Sequence, residues 1–188
     1  MRHIVARLGL SVLSVLGGVS AVPNIAHSQA SVRCTARATA PWVGGPTPRL
    51  RLEAFSDGPT CAKAIAVFAV RDSVGKVVFS QSHTSEFLAT TSQARTPTQM
   101  RAALGAWLGA GDRRFNHATL PNWLVGADRP VEQEFPFMPD SSITRADYLA
   151  IKTSRLPILC YVQGMESLNC LVYRNGALEP FGIQSFPG

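Results

Sequence analysis

Two histidines that follow the N-terminal leader described below, His83 and His117, are the sequence's candidates for a general base or a metal ligand. His83 has Ser85 and Glu86 close by in the sequence, so a base, a nucleophile and a carboxylate occur together by composition. Successive residues of a strand point to opposite faces, and this disfavours their meeting in one site. A small hydrolase with an unfamiliar site near His117 or His83 is therefore the alternative interpretation and not the favoured one.

The recurrent catalytic and cofactor motifs are missing after residue 30. That part of the sequence has no G-x-S-x-G elbow, H-E-x-x-H pair, P-loop or G-x-G-x-x-G fingerprint, and its cysteines lack the C-x-x-C spacing of zinc knuckles. Two acidic pairs, Glu132 with Glu134 and Asp140 with Asp147, could supply an acid and a base, but their separation cannot be read from the sequence. We predict no metal and no cofactor, and we favour a non-catalytic protein.

The segment between Gly111 and Pro139 has no regular hydrophobic pattern and gathers the residues best suited to binding. These are Arg113, Arg114, Phe115, His117 and Trp123. Arginines there could form paired hydrogen bonds to a carboxylate or phosphate, with an aromatic ring stacked beside them. In the competing interpretation the arginines neutralise the end of a preceding helix, and the tryptophan anchors a long loop.

The first thirty residues have the features of a secretory signal peptide. Arg2 and Arg7 precede an apolar run, Leu8 to Val19, and small residues follow up to Ala30. The run is shorter than the ~20 apolar residues that a bilayer span requires. We expect residues 1–30 to be removed, leaving a single globular domain of residues 31–188 without a transmembrane anchor, in the periplasm or secreted.

The net charge of the chain limits the classes of partner that we expect. Loss of the two leader arginines lowers the formal net charge from +6 to +4, which is basic but without the dense lysine and arginine stripe of a nucleic-acid binder. We expect no specific nucleic-acid binding. An anionic envelope polymer or another envelope protein is the predicted partner of a binding or accessory protein, and inhibition of a lytic enzyme is a further alternative.

All four cysteines lie after the leader, and an even number in an oxidising compartment predicts two disulfides. Of the three possible pairings we favour Cys34 with Cys61 and Cys160 with Cys170. The second pair is placed directly opposite by the hairpin register described next, and the first pair follows by elimination.

The C-terminal residues 156–188 predict an antiparallel meander. If Cys160 faces Cys170, then Val162 faces Leu168, and Gly164 can supply a positive φ to the reversal. Asn175-Gly176 is the strongest short signal for a type I′ turn. Tyr173 would then face Leu178. Pro180 cannot donate a ladder hydrogen bond, so we expect the third strand to be an edge strand or to end early.

Three further segments complete the predicted fold. Arg49 to Ser56 alternates as a half-buried strand, and Ala64 to Val70 is apolar enough for a central strand that forms a hairpin with Val77 to Phe79. A helix is predicted from Thr96, with Met100, Ala103, Leu104, Trp107 and Leu108 on one face.

A shorter helix follows Ser141-Ser142, and residues 31–48 are expected to be irregular around the anchor Trp42. For Trp107 a stacking platform is conceivable, but its place in an apolar stripe favours the core. The fold class is α+β, an antiparallel sheet of about five to seven strands with one principal helix packed on it and a disulfide-stapled C-terminal meander.

Overall fold

The computed structural model describes residues 33–42, 46, 49–110, 117–132 and 134–185, with only the backbone described at Ala110 and His117. Within these ranges there are eight β-strands and two α-helices. The strands are β1 (Ala36–Pro41), β2 (Arg51–Asp57), β3 (Ile65–Arg71), β4 (Val77–Thr84), β5 (Phe137–Pro139), β6 (Ile158–Val162), β7 (Ser167–Arg174) and β8 (Ala177–Ser185). The helices are α1 (Pro97–Ala110) and α2 (Arg145–Ser154). Neither helix is long and apolar enough to cross a membrane.

The strands form two antiparallel sheets, and the α+β class is confirmed. The first sheet has the order β1-β2-β3-β4 and the second the order β5-β8-β7-β6. The prediction of one sheet with five to seven strands therefore differs from the described structure in strand number and in layering. Two strands, β1 and β5, lie where no strand was expected. Strand β1 ends at Pro41 and its inward residues are alanines with little hydrophobic signal, and β5 is preceded by Pro136 and ends at Pro139.

The two sheets meet through aromatic rings. Phe68 of β3 stacks on Tyr161 of β6 with ring centroids 4.4 Å apart, and Trp107 of α1 meets Phe68 edge-on at 5.5 Å. All three side chains are fully buried. Helix α1 lies against β1 and β2, where the short side chains of Ala38 and Ala40 permit close approach. The core thus extends from the inner face of the first sheet to the second sheet and α1.

Helix α1 begins as predicted. The hydroxyl of Thr96 accepts a hydrogen bond from the backbone N–H of Gln99 at 3.2 Å. The side chain of Gln99 accepts from the N–H of Arg95 at 2.9 Å, one residue before the cap position that a capping box would use. The buried indole of Trp107 donates to the backbone carbonyl of Val162 at 2.8 Å. Trp107 is therefore a core residue, as the interpretation of the apolar stripe favoured.

Helix α2 begins later than its predicted cap at Ser141-Ser142. Thr144 and Asp147 form a reciprocal capping box, and Arg155 ends the helix with φ 52°. Ser142 instead donates both its backbone N–H and its hydroxyl to the carboxylate of Asp140, in a turn before the helix. The prediction failed because serine favours this turn as readily as an N-cap.

The meander has the predicted register. Cys160 pairs with Cys170, Val162 with Leu168, and Tyr173 with Leu178. Asn175 and Gly176 both have positive φ, 51° and 81°, as a type I′ turn requires. Gly164 lacks the positive φ that was expected, and Gln163 closes this reversal by donating to the carbonyl of Ser167 at 3.0 Å.

Both disulfides have the pairing favoured from the sequence, Cys34 with Cys61 and Cys160 with Cys170. The prediction that the third strand of the meander is an edge strand was wrong. Strand β8 lies between β5 and β7. Pro180 is tolerated because it lies at a register shift opposite Leu171, and β5 pairs only with residues 182–184.

Candidate functional site

The predicted binding loop can be followed only in part. Arg113, Arg114 and Phe115 lie outside the described residues, as does the side chain of His117. Trp123 is described and is half-buried. Its indole N–H donates to the carbonyl of Ala127 at 2.8 Å, closing a short turn. The binding hypothesis for this loop therefore stays a prediction.

Trp123 contributes to an open pocket of about 290 Å³. Its ring lies edge-on to the buried Tyr148, with centroids 5.4 Å apart. The pocket is lined by Trp123, Asp128, Arg129, Met138, Pro139, Asp140, Ser141 and Ile143. The guanidinium of Arg129 forms an ion pair with Glu132 at 2.6 Å. The carboxylates of Asp128 and Asp140 also line the pocket, so its charged groups are mainly negative. This balance of charge disfavours an anionic ligand here.

His83, the other candidate general base, has a described side chain. His83 is on the inner face of β4, edge-on to Trp107 at 5.7 Å and to Tyr161 at 6.1 Å. Burial lowers the pKa of His83, and a hydrogen bond with the backbone of Gln163 partly opposes this effect. The imidazole is therefore neutral at pH 7.

His83 and Ser85 do not form a catalytic pair in this structure. The Nε2 atom of His83 and the hydroxyl of Ser85 are both buried, and each lacks a hydrogen-bond partner among the described residues. The two groups are therefore not hydrogen-bonded to each other, whereas an activated nucleophile requires that bond. Glu86, the third group suggested by composition, is exposed.

Asp140 and Asp147, one of the two predicted acidic pairs, both accept hydrogen bonds from residues close to them in the sequence. The Asp140 carboxylate accepts two hydrogen bonds from Ser142, and the Asp147 carboxylate accepts from Thr144. These bonds lower the pKa of both carboxyl groups, the opposite of what a general acid needs. Across the described ranges, no three His, Cys, Asp or Glu side chains are grouped closely enough to hold a metal ion.

The outer face of the first sheet carries a cluster that was not recognised from the sequence. We call it the arginine face and define it as Arg37 of β1, Arg51 and Phe55 of β2, Arg71 of β3, and Glu53, which they surround. In the register of the sheet, Arg37 lies opposite Phe55, and Arg51 lies opposite Arg71. Residues directly opposite each other share a face, so three adjacent strands present arginines to the same side.

Glu53 is the centre of this face and is only 2% exposed. One carboxylate oxygen contacts Arg37 at 2.9 Å, and the other accepts a hydrogen bond from Arg71. Arg71 also donates to the carbonyl of Gly75 at 2.9 Å. The guanidinium of Arg37 lies 5.7 Å from the ring centroid of Phe55. These contacts fix the positions of two arginines.

Arg51 differs from the other two arginines. It is exposed and has no hydrogen-bond or ionic partner among the described residues. Its opposite neighbour Arg71 carries the same charge, and like charges facing each other across a sheet are destabilising. Glu53 contacts only Arg37 and Arg71, so the charge of Arg51 is not compensated and the arginine face has an excess of positive charge.

Positive charge is also concentrated in this part of the sequence. Residues 33–76 contain seven lysines and arginines against three acidic residues, whereas residues 77–188 contain nine of each. The excess of four positive charges after the leader therefore belongs to the segment that builds the first three strands. The alternation of Arg49, Arg51 and Glu53 was visible in the sequence, but Arg37 was missed because β1 was not predicted.

Comparison with known proteins gives no family to which this geometry can be assigned: no protein-family model, no curated protein and no solved structure matches the chain.

Proposed function

We propose that this chain is an exported, non-catalytic binding or accessory protein of the cell envelope, and that its arginine face holds an anionic polymer. The observation that carries the proposal is the convergence of Arg37, Arg51 and Arg71 on one exposed sheet face around a single buried carboxylate. The predicted partner is the same as in the sequence analysis. Its place on the molecule is the first sheet, in addition to the undescribed loop at Arg113.

The spacing of the arginines suits a polymer better than a single anion. Neighbouring strands are about 4.8 Å apart, so side chains on β1 and β3 are separated by roughly 10 Å across the sheet. A chain with repeated carboxylates or phosphates can meet several guanidinium groups at once, and each guanidinium can form two parallel hydrogen bonds to such a group. Arg51, with no partner among the described residues, is the arginine best placed to engage it.

Export is supported by the crosslinks and the leader together. Disulfides persist in the periplasm and outside the cell, and thiols stay reduced in the cytosol. The structure contains two disulfides and no free cysteine among its described residues. With the predicted signal peptide of residues 1–30, this supports a periplasmic or secreted protein.

The experiment measures binding of the oxidised protein to long-chain polyphosphate and to polyglutamate, with neutral dextran as the control polymer, over a series of salt concentrations. We expect binding to both polyanions and none to dextran. Affinity should fall steeply with salt, because each neutralised polymer charge releases a counterion.

Two single substitutions test the face itself. Arg51→Gln should weaken binding roughly three- to tenfold at low salt and reduce the slope against log salt by about one. Arg101→Gln removes the same charge from an exposed position of α1 and should leave affinity near that of the wild type. Binding that ignores salt, or equal losses in the two variants, would refute the proposed site.

A further inference from the structure

Three of the four edges of the two described sheets are protected, as edge strands in monomeric proteins usually are. Strand β1 contains Arg37, ends at Pro41 and lies against α1. Strand β5 is three residues long and ends at Pro139. Strand β6 follows Pro157, and Trp107 donates to the carbonyl of its last residue.

The fourth edge, strand β4, approaches β8 at a few positions but lacks these protective features in its sequence. Its sequence from Val77 to Thr84 is VVFSQSHT, which contains no proline, lysine, arginine, aspartate or glutamate. It is among the longer strands described, at eight residues. Val77 and Val78 at its start are 41% and 36% exposed. A long, uncharged and exposed edge strand is a template for pairing with another strand.

The register identifies which backbone groups are available. The N–H of Ser85 donates to the carbonyl of Ala64 at 2.9 Å, which makes these two residues a hydrogen-bonded pair. Hydrogen-bonded and non-hydrogen-bonded pairs alternate along an antiparallel ladder. Residues Ser80, Ser82 and Thr84 are therefore in non-hydrogen-bonded pairs with β3, and their N–H and C=O groups point away from it.

No backbone hydrogen bond within the described part of the chain reaches those outward groups from another segment. The same three residues direct their side chains to the outer face of the sheet, where Ser80 and Ser82 are exposed and Thr84 is half-exposed. The edge thus offers three N–H donors and three C=O acceptors, and the residues that carry them have small hydroxyl side chains.

We propose that β4 pairs antiparallel with β4 of a second copy of this chain, about a two-fold axis at Ser82. In this register Ser82 faces its own equivalent, and Ser80 faces Thr84 of the other copy. The three outward residues of each copy then make about six interchain backbone hydrogen bonds. The partner is a second copy because β4 is self-complementary in this register. On the outer face hydroxyl side chains meet one another, and on the inner face the amide of Gln81 meets the imidazole of His83 from the other copy, so no like charges oppose each other.

The two-fold symmetry also separates the charges. Arg71 lies opposite Val77, at the far end of β4 from Thr84, so antiparallel pairing places the arginine faces of the two copies at opposite ends of the contact. The first sheets would join into a continuous eight-stranded sheet with both arginine faces on its outer surface. This inference does not depend on the proposed polymer binding, because it concerns backbone groups of a different strand.

The test measures the molar mass of the oxidised protein by sedimentation and light scattering over a range of concentrations. Wild-type protein should form a dimer. Ser82→Pro removes one outward N–H at an edge position where proline is tolerated, and Ser82→Lys places two like charges face to face on the axis. Both variants should be monomeric with the far-UV circular dichroism of the wild type.

Thr153→Lys is the matched control, since it adds the same charge at an exposed position of α2 and should leave the dimer intact. A mixture of Ser82→Lys and Ser82→Glu should recover a mixed dimer, because the opposite charges then meet at the axis. Wild-type protein that stays monomeric up to about 1 mM would overturn the proposal. A dimer that survives both Ser82→Pro and Ser82→Lys would overturn it as well, since its interface would then lie elsewhere.

Discussion

The substitution Glu53→Gln separates the stability of the arginine face from its affinity for anions. Glu53 is 2% exposed, and both carboxylate oxygens contact arginines. Glutamine keeps the shape of the side chain and removes its charge, so the arginines lose their common counter-ion. We expect the free energy of unfolding to fall while the affinity for a polyanion rises.

The size of the expected stability loss depends on how exposed each of the two arginines is. A hydrogen bond to a charged group contributes about 1.5–3 kcal/mol, and breaking a buried pair costs more because a charge is left unpaired. The side chain of Arg71 is 26% exposed and that of Arg37 is 66% exposed, so water replaces most of the second contact. We take the contact of Glu53 with Arg71 near the full value for a charged hydrogen bond, and its contact with Arg37 at about 0.2–1 kcal/mol. We therefore expect Glu53→Gln to lower the free energy of unfolding by about 2–3 kcal/mol.

The gain in affinity is smaller. A negative charge about 7 Å from a bound anion repels it by roughly 0.6 kcal/mol in water, so its removal should tighten binding about threefold at low salt and less at high salt. Urea unfolding gives the stability change, and the polyphosphate titration gives the affinity change.

The matched control is Glu132→Gln, which removes the same charge from an ion pair with Arg129 whose side chains are 65% and 72% exposed. This change should cost less than about 0.5 kcal/mol. If Glu53→Gln were no more destabilising than the control, the buried carboxylate would not organise the arginines. If polyanion affinity fell in Glu53→Gln, the anion would not bind beside Glu53.

Two further predictions concern the crosslinks and the buried histidine. Peptide mapping of the unreduced exported protein should recover Cys34 linked to Cys61 and Cys160 linked to Cys170, and free thiols would contradict both the pairing and the compartment. Replacing Cys160 and Cys170 by serine should lower the free energy of unfolding by about 3 kcal/mol. Burial lowers the pKa of His83, so the unfolded chain takes up its proton first, and stability should fall as the pH drops through about 6.5. His83→Gln should remove this part of the pH dependence in urea unfolding, and an unchanged slope would show that His83 is not its source.

The sequence alone determined the local features of this protein. The register of the meander followed from Asn175-Gly176, because a type I′ turn fixes which residues of the flanking strands face each other, and Cys160 and Cys170 fit the same pairing. The start of α1 followed from Thr96 and the apolar stripe behind it. Each of these signals lies within a few residues of the structure that it predicts.

The pairing of distant segments could be seen only in the folded protein. The fold placed β8 inside a sheet, although Pro180 had suggested an edge strand, and it made a strand of Ala36 to Pro41, where α1 requires small side chains. That strand brings Arg37 to Glu53 and so completes the arginine face. Such contacts depend on the free energy of burying whole strand and helix faces against one another, which local patterns of residues do not encode.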